Sequence, residues 1–309
     1  SSGLAEGTPL TVTINDVEYT TAVQADGSWS VGITAAQVSA WPAGAVNIAV
    51  SGESSAGNPI SITHPVTVDL TPAAITINTI ATDDVINAAE KGANLTLSGT
   101  TTNVEAGQTV TVTFGGKNYT ASVAGDGSWT ATVPAADLAA LPEGSASAQA
   151  SVSNINGNSA SAVHSYSVDS SAPTIIINTV ASDNIVNASE ADAGVTVSGS
   201  TTAEAGQIVT VTLNSPTVQT YQATVQADGS WSINIPAADL AALTDGSHTL
   251  MATVNDKAGN PASTTHNLAV DLTVPVLTIN TIAGDDIINA TEHGQALVIS
   301  GSSTGGEAG

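Results

Sequence analysis

The sequence predicts an all-β chain of antiparallel sandwiches, seven strands to each, strung in tandem as an elongated rod. Three observations carry that expectation. Marker strings recur at the spacing of one small domain. The runs between them alternate apolar and polar residues, rich in Thr and Val, at the two-residue period of a strand. Turn residues (Gly, Asn, Asp) break these runs at about ten-residue intervals.

The string Asp-Gly-Ser-Trp stands at Asp26–Trp29, Asp126–Trp129 and Asp228–Trp231. An Asp followed shortly by Pro recurs at Asp69/Pro72, Asp169/Pro173 and Asp271/Pro275. The segment Ile77–Gly92 returns as Ile177–Asp192 and as Ile279–Gly294. Each marker advances by 100 residues and then by 102, as from Asp26 to Asp126 to Asp228. The repeat is therefore a whole domain, too long for one turn of a solenoid. Its phase gives two full units, 70–169 and 170–271, preceded by 1–69, which lacks its first third. The stretch 272–309 is that first third alone. Glu6-Gly7 and Glu307-Ala308-Gly309 mark nearly the same point of the repeat, so a piece of a longer array is expected.

Within 70–169 the strands follow in order. Ile75–Ile80, Asn94–Thr100 and Gln108–Phe114 alternate Thr or Asn with aliphatic residues. Lys117–Val123 and Ser128–Val133 flank Gly125-Asp126-Gly127, the signature of a hairpin. Ala135–Leu141, between Pro134 and Gly144, reads as a short helical turn. Ala146–Ser153 and Ser159–Val168 close the unit around the turn Asn154–Asn158. Seven short strands in about 100 residues make an immunoglobulin-like (Ig-like) sandwich. The chain has no Cys to tie its sheets, so Trp29, Trp129 and Trp231 are expected as core anchors. The alternative is a set of surface rings that stack on sugars.

Composition excludes several functions. Among 309 residues, 3 Lys+Arg stand against 27 Asp+Glu, a formal charge of -24. Phosphate recognition runs on cationic contacts, so no nucleic-acid partner is expected. Without Cys there are no thiolate metal sites or thiol nucleophiles. No apolar run approaches the roughly 20 residues that span a bilayer, and Ser1–Leu10 does not read as a signal peptide. His64, His164 and His266 recur at one strand position, as structural residues do, and no catalytic motif accompanies them or His248 and His293. Aromatic residues make up only 3% of the chain, too few for a glycosidase cleft around paired acids, so no enzyme is expected.

The acids gather at the ends of the sandwiches. Antiparallel order puts the loop after the first strand at the C-terminal pole: Asp83, Asp84, Asn87 and Glu90, then Asp183, Asn184, Asn187 and Glu190, then Asp285, Asp286, Asn289 and Glu292. The N-terminal pole takes Glu6, Glu105 and Glu204, the turn acids Asp26, Asp126 and Asp228, and Asp256 of the loop Asn255–Asn260. Asp69, Asp169 and Asp271 lie between the poles. Stacking the units sets acid against acid, and two carboxylates about 5 Å apart repel by roughly 3 kcal/mol at an effective dielectric near 20. Clustered carboxylate and amide oxygens without His or Cys suit a hard cation, and calcium is the candidate. Extracellular modules hold it at about 10⁻⁴–10⁻³ M. The spacing is not that of an EF-hand. For Asp126 and its equivalents, turn chemistry alone is an equal reading.

The junction Asp-x-Thr-x-Pro, the loop Ile-Asn-Thr-Ile-x-x-Asp-Asp-x-Ile-Asn-x-x-Glu, and Glu-Ala-Gly-Gln, Asp-Gly-Ser-Trp, Pro-Ala-Ala-Asp-Leu and Asn-Asp-Lys-Ala-Gly-Asn-Pro resemble the bacterial Ig-like repeats of giant non-fimbrial adhesins exported by type I secretion, those of SiiE type above all. The resemblance implies an extracellular rod on the bacterial surface with calcium at its joints, and host-cell contact made by the full-length protein. Asn184 in place of a second Asp, Gln37 in place of Asp137 and Asp239, and the acid-free Asn154–Asn158 depart from the pattern.

The expected function is a calcium-stiffened spacer of an adhesin that attaches to host cells. The fullest joint should lie between the second and third units, with Asp83, Asp84, Asn87 and Glu90 on one side, Asp169 in the linker, and Glu204, Asp228 and Asp256 on the other. The rival is an Ig-like module that itself binds a host glycan or protein, which exposed Trp41 and Tyr119 beside one groove would favour. Strands at Val276–Ser300 are also expected to complete the 1–69 unit of another copy, head to tail.

Overall fold

A computed structural model describes residues 3–214 and 218–305; the Glu307–Gly309 marker lies outside the described residues. Contacts divide the chain into two compact units. One comprises Ser1–Asn78, Thr96–Thr132 and Ser147–His164; the other comprises Thr79–Leu95, Val133–Ala146 and Ser165–Gly309. Each junction of repeats thus falls inside a single unit.

The chain folds as tandem Ig-like β-sandwiches. In the third repeat one sheet orders Ile175–Ile177, Val195–Thr201 and Ser230–Ile235. The other orders Ile185–Asn187, Pro261–Asp271, Gly246–Asn255, Ile208–Asn214 and Gln219–Thr224. Val197, Leu213, Trp231, Ile235, Leu250 and Leu268 fill the core. Alternation does this: on Ile208–Asn214 every second residue (Val209, Val211, Leu213) is buried. The middle repeat has the same plan. Ser128–Val133, Leu95–Thr102 and Ala74–Ile75 form one sheet, and Val85–Ile86, Ser159–Val168, Gly144–Ser153, Thr109–Phe114 and Lys117–Ser122 form the other.

Trp129 and Trp231 are buried, 1% and 2% exposed. Each presses on a glycine: a Cβ at Gly99 would sit 2.6 Å from Cζ2 of Trp129, and one at Gly199 2.5 Å from Cζ2 of Trp231. Trp29 is only half-buried, against a core of Val12, Ile14 and Val46. Its segment forms no strand, because the strand that pairs with Ser128–Val133 in the middle repeat has no counterpart in the first. That repeat is a single four-stranded sheet in the order Val17–Ala22, Pro9–Ile14, Gly44–Glu53 and Pro59–Val68. At the other end Val276–Ile279 pairs only with Gly301–Thr304.

Two sequence expectations change. The Asp-Gly turn is not a hairpin: Lys117–Ser122 belongs to the five-stranded sheet and Ser128–Val133 to the three-stranded one. The turn passes the chain between sheets, because Thr101 N bonds Gly127 O and ties the second strand to the next. The acid-rich loop after the first strand is not simply a loop either. It contains the strand Val85–Ile86, parallel to Ser167–Val168, and the helix Ala88–Lys91. The third repeat repeats both, as Ile185–Asn187 on Ala269–Asp271 and as Ala188–Ala193.

Candidate functional site at the joints between repeats

The acid-rich loop is shaped by its own oxygens. Asp83 Oδ1 accepts from Val85 N (3.0 Å), and Asp84 Oδ1 accepts from Ile80 N (2.8 Å). Ala81, Thr82 and Asp84 sit at φ of 53°, 74° and 66°, a left-handed course that these bonds hold in place. Asn87 Oδ1 accepts from Glu90 N and Glu90 Oε2 from Asn87 N, a reciprocal cap on the helix. Asp183, Asn187 and Glu190 repeat these bonds, as do Asp285, Asp286, Asn289 and Glu292. Asn184 accepts from Val180 N (2.9 Å). Asn184 thus supplies the same acceptor as Asp84, and its Oδ1 also lies 2.7 Å from His266 Nε2.

The turn acids are also locally engaged. Asp26, Asp126 and Asp228 each accept from the backbone N and the hydroxyl of the Ser two residues on. Those bonds hold all three carboxyls below the usual carboxylate range. Asp228 is exposed and is not drawn into the second joint by any bond among the described residues.

At the second joint the expected groups converge on Asp256–Asn260. Asn260, 1% exposed, donates its amide to Asp169 O (2.9 Å) and to Asp256 Oδ2 (2.9 Å), and accepts from Ala88 N (2.8 Å). Asn87 donates to Ala258 O (3.0 Å), so the helix cap of one repeat touches the loop of the next. Glu204 Oε2 takes Lys257 N (2.9 Å). Asp83 and Asp84 cap Val85 N and Ile80 N of their own loop. The first joint keeps part of this pattern: Asn158 donates to Asp69 O (3.1 Å), and Glu105 Oε2 accepts from Ile155 N (2.9 Å). The linker acids cap their own junctions, Asp69 from Thr71 N, Asp169 from Ser171 N and Asp271 from Thr273 N.

Residues outside the expected set also hold the linkers. Glu143 accepts from the Ser170 hydroxyl and from Ser170 N (2.9 Å), bonds that chiefly lower its pKa, and it pairs with Lys91 (3.3 Å). Asp245, 102 residues on, takes Leu272 N and Thr273 Oγ1. The first repeat has Ala43 at that place. An acid immediately before the Gly that opens the sixth strand, recurring in phase, was the available signal.

Among the described residues no three His, Asp or Glu side chains group closely enough to hold a metal ion. The second joint nevertheless suits a hard cation. Asp256 is 7% exposed, and among the described residues its carboxylate accepts from Asn260 N and the Asn260 amide and pairs with no lysine. An uncompensated buried carboxylate is costly, and a cation would offset it. The Asp169 carbonyl, Glu204 and Asp256 bring oxygen atoms alone to the same loop, the chemistry that calcium takes.

The aromatic residues do not frame a sugar site. Trp41 and Tyr119 are each half-buried, and Trp41 packs on the first repeat's core. An open groove of about 800 Å³ lined by Thr8, Pro9, Thr11, Gly52, Glu53 and Pro59 has no aromatic wall. No helix among the described residues is long and apolar enough to cross a membrane.

The family model described as bacterial Ig-like domain matches residues 172–272. Among solved structures, a Ca2+-stabilized adhesin that helps an Antarctic bacterium reach out and bind ice is 36% identical, over 98% of this chain and 75% of that one, with a TM-score of 0.47. A 1.5-MDa bacterial ice-binding adhesin, studied for its host cell surface retention, is 33% identical over 87% of this chain and 88% of that one, also at a TM-score of 0.47. A single bacterial immunoglobulin-like domain of the M. primoryensis ice-binding adhesin is 36% identical over 32% of this chain and 99% of that one, at a TM-score of 0.27. No curated protein matches the chain.

Proposed function

This chain belongs to the bacterial Ig-like domain family, as repeats of large bacterial adhesins do, and from that premise we propose that it is a calcium-braced spacer segment of such an adhesin. The observation that carries the reading is the second joint, where Ala88 N, the Asp169 carbonyl and the buried Asp256 meet through Asn260 and Asn87 donates to Ala258 O beside them. A related adhesin is Ca2+-stabilized, and Asp169, Glu204 and Asp256 would hold the ion here, with Asn87 and Glu90 facing them. Bound calcium would neutralise these carboxylates and replace repulsion with shared coordination. Repeats would change at Asp69, Asp169 and Asp271. The protein would work at the bacterial surface, after secretion, through neighbouring repeats and with attachment made elsewhere in the full-length molecule. It would carry no enzymatic site. The half-buried Trp41 and the aromatic-free groove weigh against direct glycan binding.

Small-angle scattering with calcium and then with chelator tests this. The maximum dimension should shrink, and the distance distribution broaden, on chelation. An identical maximum dimension in both would overturn the bracing.

Self-association is part of the same proposal. Leu277, Ile279 and Val298 are 80%, 71% and 82% exposed. Gly301 stands where Gly99 and Gly199 cradle a Trp, yet has none against it among the described residues, while Trp29 lacks a cradling glycine. A second copy of this chain would supply each to the other, head to tail. Sedimentation should show mass rising with concentration, and Trp29→Ala should abolish the rise; a strict monomer at high concentration rejects it.

A further inference from the structure

The loops at 154–158 and 256–260, with the linkers they touch, are built alike at the two joints but carry different chemistry. Loop residues Asn154, Asn156 and Asn158 of the first correspond to Asp256, Ala258 and Asn260 of the second. The Asn158 and Asn260 bonds to the preceding linker carbonyl are the same bond made twice, at 3.1 and 2.9 Å. Around it the joints diverge. Asp69 has both carboxylate oxygens occupied by N–H donors, Oδ1 by Thr71 N (2.9 Å) and Oδ2 by the Asn156 amide (2.5 Å). Among the described residues the Asp169 carboxylate accepts only Ser171 N, at 3.4 Å, and Ala258 has no side-chain donor to offer. The buried acid also disappears: Asn154, 5% exposed, accepts from Asn156 N and Asn158 N, where Asp256 places a charge.

We infer that the first joint is latched by amide hydrogen bonds where the second would take a divalent cation, so that the Asn156 amide stands in for the ion on Asp69. The inference rests on the calcium reading of the second joint and goes beyond it. Cation affinity at oxygen sites follows the number of charged ligands. The first joint's loop has one acid fewer, Asn154 in place of Asp256, and its linker carboxylate faces a positive amide edge that would repel an incoming cation. A neutral donor at hydrogen-bond distance from a carboxylate gives a strong, charge-assisted bond. The first joint would therefore keep its geometry in a medium that strips calcium, while the second loosens. Stiffness along the array would be written joint by joint, in the choice of Asn or Asp at one loop position.

Hydrogen exchange on the whole chain, in calcium and in chelator, tests this at both joints at once. Peptides covering 169–173 and 256–260 should exchange at least fivefold faster in chelator, while 69–73 and 154–158 stay unchanged. Calcium protection of both joints overturns the inference. Protection of neither overturns the calcium reading instead, and the latch then stands or falls on Asn156→Ala. That variant should raise exchange at 69–73 about fivefold in chelator; no rise rejects the latch. The double variant Asn154→Asp with Asn156→Ala recreates the second joint's pair at the first. It should make 69–73 calcium-protected, and a double variant still indifferent to calcium also counts against the inference.

Discussion

Asp26, Asp126 and Asp228 hold one turn three times over, each bonding the Ser two residues on. Their lowered pKa values, caused chiefly by the Ser hydroxyls and then by the Ser backbone N–H groups, fix the sign of a pH effect. A carboxyl whose folded pKa lies below its unfolded value stabilises the fold once the unfolded form is ionised, above about pH 4. That stability fades as pH falls through the lowered folded values. The thermal midpoint should therefore be level from neutrality down to about pH 5 and drop below it. Asp228→Asn should flatten the third repeat's share of the drop. A different residue-scale prediction concerns the Trp cradle. Gly199→Ala would push a methyl to 1.9 Å from Ile176 O and 2.5 Å from Trp231 Cζ2, both fixed groups. It should cost about 3 kcal/mol or more in denaturant unfolding followed by Trp fluorescence, at the upper end for overpacking. The repeating Trp was legible in the sequence as an anchor. The glycine beside it was not, because nothing in spacing alone says which strand pairs with the Trp strand in its sheet.

At the scale of elements, the period-2 strands were legible because alternation is what a half-buried strand requires. The loop from 79 to 92 was half legible. Its oxygens were read as ligands, and they serve as caps on Val85 N, Ile80 N and Glu90 N. Both readings need the same short polar side chains, and Asn-x-x-Glu is also a capping box. The hairpin reading of Asp126-Gly127 went astray for a related reason. Such a turn reverses the chain equally well within a sheet or between two, and the bond from Thr101 N decides which. Comparing caps separates local from joint roles. Asn87 and Asn187 make the same box, but only Asn87 also reaches across to Ala258 O. Asn187→Ala should cost about 1 kcal/mol. Asn87→Ala should cost about 1 kcal/mol more, since a joint bond is lost as well. Equal losses in urea titration would mean that the joint bond contributes nothing.

Over the whole molecule, the charge of -24 follows from composition, and the expected placement of acids at the poles follows from repetition. The latches follow from neither, since Asn158, Asn260, Glu143 and Asp245 look in sequence like ordinary turn residues. Glu143→Ala should release the Ser170 amide and raise its exchange severalfold, with Asp245→Ala doing the same at Leu272. The first linker, which has Ala43 at that place, should match those variants without mutation. The short parallel pairing has one more effect. Val85–Ile86, near the start of the middle repeat, runs alongside Ser167–Val168 at its end, and Ala269–Asp271 does the same with Ile185–Asn187. Tension on the two ends of such a repeat drags these strands past each other lengthwise. The rungs between them, including Asp169 N to Ile86 O, then share the load and must fail together rather than unzip singly. A repeat pulled from both ends would yield late and abruptly.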